Sequence, residues 1–145
     1  KIMRKFLNTL LIFIILPVLV SCAGTGTKSL SMINLGVDPD ESAVFFVRKK
    51  KYMASAGLVK IILDGEEIGK LGVGEMERVS IEPGSHNARV ALGSILQAGT
   101  GTDSAAFVAE KGKAYYFIVD FEAGLFSGKW TITETSKNGF TKARN

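Results

Sequence analysis

Beyond residue 42 the chain alternates apolar and polar residues with a period of two, broken at intervals by turn residues. That period is the mark of strands with one face inward. Residues 43–48 (AVFFVR) and 58–63 (LVKIIL) read as the first two strands, and Asp64-Gly65 as the tight turn that returns the chain through 67–71. A fourth strand is expected within 75–82, followed by a turn at Pro83-Gly84. In the next strand His86, Ala88, Val90 and Leu92 share one face, with Asn87 and Arg89 on the other. Further strands are predicted at 105–109, at 114–121, where Tyr115, Phe117, Val119 and Phe121 share a face, and at 129–134. No useful helical stripe follows residue 22. The expectation is an all-β fold, a single small antiparallel β-sandwich of about eight strands over residues 42–135. Its core should include Val59, Ile61, Leu63, Val79, Ile81, Ala88, Val90, Phe117, Val119 and Ile132.

The first 22 residues follow another pattern. A basic head (Lys1, Arg4, Lys5) precedes an apolar run over 6–20 that ends in Leu19-Val20-Ser21-Cys22. Basic head, apolar stretch and small residues before a cut are the parts of a secretory signal peptide. As a helix the run falls short of the roughly 30 Å apolar bilayer core, which favours cleavage over permanent insertion. Leu-Val-Ser-Cys resembles the bacterial lipobox, in which the Cys becomes the first mature residue and carries the lipid. A lone Cys can also be a buried apolar filler. Cys22 as a lipidation site, however, also accounts for the absence of other cysteines from the mature part.

The expected organisation is a signal helix at 1–21, a lipidated Cys22 with a flexible tether through 41, the sandwich at 42–135 and a polar tail at 136–145. Phe140 is the tail's expected sole anchor. Ala23 after the Cys, where Asp would resemble an inner-membrane retention signal, points to the outer membrane, facing the periplasm.

The whole chain has 18 basic residues against 14 acidic ones, a formal net charge of +4. Three of the bases lie in the signal, which leaves 15 against 14, so the basic balance implies no nucleic-acid partner. One His and one committed Cys exclude a transition-metal centre. Asp38, Asp40 and Glu41 lack the spacing of a calcium loop and read as a solvated turn. His86 has no nucleophile elbow to serve and is expected to cap a turn by bonding a nearby carbonyl or carboxylate. No cofactor is expected. Tyr115 and Tyr116 fall on opposite faces, one in the core and one at the surface.

The sharp charge feature is Arg48-Lys49-Lys50-Lys51-Tyr52. Four cations beside an aromatic form a candidate contact for anionic lipid headgroups or glycans. The same run also reads as a solvated loop that keeps a strand edge unpaired.

The order V-F-F-V-R, I-I-L-D-G-E-E-I-G-K-L, I-E-P-G-S-H-N-A-R-V and K-G-K-A-Y-Y-F resembles the bacterial lipoprotein family built on the domain of unknown function numbered 2846. Its D-G and P-G-x-H section is similar to PEGA-type surface modules. The matching positions are Arg48, Asp64, Gly65, Gly69, Pro83, Gly84, His86, Tyr115 and Tyr116. Lys49-Lys50-Lys51 departs from the family's pattern. The resemblance implies a small β-sandwich at the cell envelope and no defined activity. The expectation is therefore a non-catalytic envelope lipoprotein, a structural or interaction module anchored to the membrane through lipid on Cys22, with an envelope protein or glycan as partner. The alternative is a lipoprotein that holds a glycan or anionic headgroup near residues 48–52.

Overall fold

The computed structural model describes residues 24–51, 57–93, 101–125 and 128–145. The signal segment, Cys22 and Tyr52 lie outside the described residues. Among the described residues the fold is all-β with one short helix: β1 (Ser42–Arg48), β2 (Val59–Leu63), β3 (Glu66–Leu71), β4 (Met76–Ile81), β5 (Gly84–Leu92), β6 (Ser104–Ala109), β7 (Ala114–Ala123), β8 (Gly128–Thr135) and α1 (Lys137–Arg144). The strands form two four-stranded sheets, β4-β1-β7-β8 and β3-β2-β5-β6. All eight expected strands are present.

One pairing departs from the expected antiparallel plan. β1 and β7 run parallel, with Ala43 opposite Ala114 and Arg48 opposite Val119. The whole of the other sheet and β4 of this one lie between them in sequence, and β7 enters from the end at which β1 began.

Between the sheets lies the main core, which includes Val44, Phe46, Val59, Ile61, Leu63, Ala88, Val90, Phe117, Val119, Trp130 and Ile132. Phe46 stacks on Phe117 with centroids 5.7 Å apart. Val79 and Ile81, also expected inside, are partly buried against this core because β4 is an edge strand.

A second apolar layer corrects two expectations. β1 is buried along its whole length, so the outer face of its sheet needs a cover as well. Phe45, Val47, Met76 and Tyr116 on that face pack with Ile33, Phe140 and Ala143. Residues 24–37, expected as a flexible tether, provide half of the cover. Thr25 N–H donates to Lys70 O at 2.8 Å and Thr27 N–H to Met76 O at 2.9 Å, which stitches β3 of one sheet to β4 of the other. Glycine is needed here for close approach: a Cβ on Gly26 would lie 2.8 Å from Met76 O and 2.7 Å from a Leu71 methyl.

The expected polar tail is α1, the other half of the cover. Ser136 caps its start by accepting from Gly139 N–H, and Lys142 and Arg144 suit the negative end of the helix dipole. Phe140 is fully buried against Phe45 and Tyr116. Tyr116, half of the expected core-and-surface pair, is buried under this cover and donates its hydroxyl to Leu35 O at 2.6 Å, while Tyr115 packs partly buried on the main core.

Because the cover is part of the fold, Phe140→Ala is expected to cost about 3–5 kcal/mol, the range for emptying a buried aromatic site. Denaturant unfolding of wild type and variant measures this. A frayed tail would show almost no change.

Candidate functional site

The basic run at the end of β1 is divided by the fold. Even-numbered residues of β1 face the other sheet, so Arg48 follows Val44 and Phe46 inward. The residue is 2% exposed, and its guanidinium donates to Leu71 O at 2.9 Å and to Gly57 O and lies 4.7 Å from the Trp130 ring centroid. Burial lowers its pKa to about 10, a shift opposed by the charge of Glu75, so it stays cationic at neutral pH. Glu75 is itself buried and accepts from Gly72 N–H at 2.8 Å. Arg48 is thus an internal plug for one end of the core, which corrects its reading as a surface contact.

Lys49 and Lys51 share one carboxylate. Their ammonium groups lie 3.3 and 2.8 Å from Asp120 of β7. Although partial burial opposes it, these lysines and the Phe121 N–H hold Asp120 below the ordinary Asp range. Lys50 is exposed and, among the described residues, has no ion-pair partner. The five-residue run therefore provides one cation without an ion pair among its described members, flanked by two lysines that share a single carboxylate.

His86 takes the structural part expected of it. Asp64 (φ +52°) and Gly65 (φ +91°) make the left-handed turn between β2 and β3, and the Asp64 carboxylate reaches across to β5. One oxygen accepts from Asn87 N–H at 2.8 Å, and the other lies 2.6 Å from His86 Nδ1. His86 Nε2 lies 2.7 Å from Glu82 O, and the ring stacks on Phe107. Two acceptors at the two ring nitrogens favour the imidazolium, which donates to both. The Asp64 bond raises the His86 pKa first, and the Asn87 N–H followed by His86 lowers that of Asp64. One imidazolium thereby ties the β2–β3 hairpin to the turn before β5.

A half-buried acid was missed from the sequence. Glu77 on β4 points into the seam closed by Thr25. Burial pushes its carboxyl upward, against a Thr25 hydrogen bond and with help from Glu75, and one of its oxygens has no hydrogen-bond partner. The signal was present in the alternation, because Glu77 shares the inward parity of Val79 and Ile81. Among the described residues no cluster of three metal-ligating side chains occurs, and no helix is long and apolar enough to cross a membrane.

The Asp64–His86 pair sets a pH dependence. His86, raised in the fold, stabilises fully below its unfolded pKa and loses that contribution as pH rises through the folded value. Asp64, lowered in the fold, contributes above its unfolded pKa and loses this as pH falls through its folded value. His86→Gln is therefore expected to cost about 1 kcal/mol, discounted for the exposure of Asp64, between those two limits, with the difference shrinking toward alkaline pH. Urea midpoints of both proteins from acid to alkaline pH test it. A penalty that keeps growing on the alkaline side contradicts the assignment. At the plug, Arg48→Ala is expected to cost about 2–5 kcal/mol, because it empties a buried site, removes the donor to Leu71 O and Gly57 O and takes the nearby positive charge from Glu75, and Arg48→Met with Glu75→Gln should recover much of it by the same measurement.

The chain matches no model of a known protein family and no curated protein, so its own residues carry the functional reading.

Proposed function

We propose that this chain is a non-catalytic envelope lipoprotein, a structural or interaction module held at a membrane surface by lipid on Cys22. The carrying observation is one of adjacency. The lipobox-like Leu19-Val20-Ser21-Cys22 stands three residues before Thr25, which is hydrogen-bonded into the seam between the two sheets. An anchor placed there fixes a folded domain directly on the bilayer. The engagement of His86 by Asp64 and Glu82 supports a structural use of the residue best suited to acid–base chemistry. The order of the D-G, P-G-x-H and K-x-Y-Y segments supports kinship with envelope lipoproteins of the domain 2846 type, with an envelope protein or glycan as partner.

Cys22→Ala is expected to abolish lipid attachment and lipoprotein-type cleavage, leaving uncleaved precursor. Mass spectrometry of the mature N-terminus decides it. A free, unmodified Cys22 in the membrane fraction would overturn the proposal.

A further inference from the structure

The connections fix which turns share an end of the sandwich. β1 ends, and β4 and β8 begin, at the end that carries the β3–β4 turn, where Gly74 N–H donates to Arg48 O at 3.0 Å. α1 runs from the opposite end to this one. Its last turn is held by Lys50 N–H donating to Ala143 O at 3.3 Å and by Arg144 Nε donating to Lys28 O at 3.0 Å. These two bonds bring Lys28, Lys50, Lys142 and Arg144 together from three distant parts of the sequence. Lys28, Lys50 and Lys142 are exposed and Arg144 is partly so. Among the described residues none of the four has an ion pair, whereas Lys49, Lys51 and Lys129 nearby are paired to Asp120 and Asp103. At the far end the turns carry Asp38, Asp40, Glu66, Glu82 and Glu110 beside Lys111, Lys113 and Lys137, and since Asp40 and Glu110 are paired to Lys111 and Lys113, Asp38, Glu66 and Glu82 stand against Lys137 alone.

The anchor enters at the cationic end. Gly24 lies so close to the β3–β4 turn that a Cβ on it would sit 2.9 Å from Gly72 N. Cys22 is two residues before Gly24 and six before Lys28, so even a fully extended chain keeps it within about 7 Å and about 20 Å of them. A linker this short leaves the domain little freedom to turn, in contrast to a long flexible tether.

We propose that Lys28, Lys50, Lys142 and Arg144 form a membrane-contact face that lies on anionic phospholipid headgroups of the bilayer holding the Cys22 lipid, with the acidic end directed away. This rests on the anchored reading above and adds an orientation and a lipid class to it. Each cation near an anionic surface contributes up to roughly fivefold in binding, so four together supply up to a few hundredfold at low salt. The effect falls as the screening length shrinks from about 8 Å at physiological ionic strength.

The test uses the mature lipidated protein, with lipid on Cys22 first verified by mass spectrometry. It is reconstituted into vesicles of phosphatidylglycerol with phosphatidylcholine, or of phosphatidylcholine alone. A fluorophore is placed through Val73→Cys in the β3–β4 turn or through Lys111→Cys at the far end, and quenched by lipid carrying a headgroup nitroxide. In phosphatidylglycerol vesicles the label at 73 should be quenched roughly threefold or more over that at 111. The gap should close with added salt, in phosphatidylcholine alone, and in the variant Lys28→Gln, Lys50→Gln, Lys142→Gln, Arg144→Gln. Equal quenching at both ends, or a gap indifferent to salt and lipid charge, overturns the contact face while the anchor stands. Absence of lipid on Cys22 overturns both. The salt and lipid arms use the four native cations, so they decide the question even where the quadruple variant unfolds.

Discussion

The structure depends on the burial of one strand on both faces. β1 is an interior strand of its sheet, and all seven of its residues are buried. Val44 and Phe46 serve the space between the sheets, while Phe45 and Val47 face outward. In a two-layer sandwich the outward pair would meet water, at a cost of about 1.5–3 kcal/mol for each large apolar side chain. The remedy is a third layer made from both ends of the described chain. The strap over 24–37 and α1 meet above Phe45, and Tyr116 joins them through its stacked ring and its bond to Leu35. The cover of β1 thus explains why segments of linker-like composition are ordered.

The strands were legible because alternation is a direct imprint of a sheet with one face inward, and the D-G and P-G turns punctuate it clearly. The third layer was hidden for a chemical reason. Gly, Thr and Ser are the residues of a flexible linker, and they are also the residues that let a backbone run close against a sheet edge, as Gly26 does beside Met76. Composition alone does not separate the two. One signal did point the right way: the unbroken run Ala43-Val44-Phe45-Phe46-Val47 is the pattern of a strand covered on both faces. In α1 the apolar contact rests on Phe140 and Ala143, three apart, too few to register as a helical stripe.

The candidate site was legible as charge but not as geometry. Four consecutive cations looked like one patch, yet strand parity sends Arg48 inward, and Asp120, some seventy residues away, takes up its two neighbours. The cations left unpaired come from segments that the sequence keeps far apart, and only the docking of α1 unites them. The partners of His86 were read correctly in kind, a carboxylate and a carbonyl, because a P-G turn leaves an unpaired carbonyl within reach of a following ring.

The parallel pairing of β1 with β7 has a consequence for the order of assembly. β1 is the first of the described strands, and it cannot gain its parallel neighbour until the chain has been extended through the whole of the other sheet. Closing a loop of that length carries an entropic penalty that only late, long-range contacts repay, and chains with many such contacts fold slowly. Until then β1 can pair only with β4, and its other edge, around Phe45 and Phe46, stays open and strongly apolar, prone to pair with other chains.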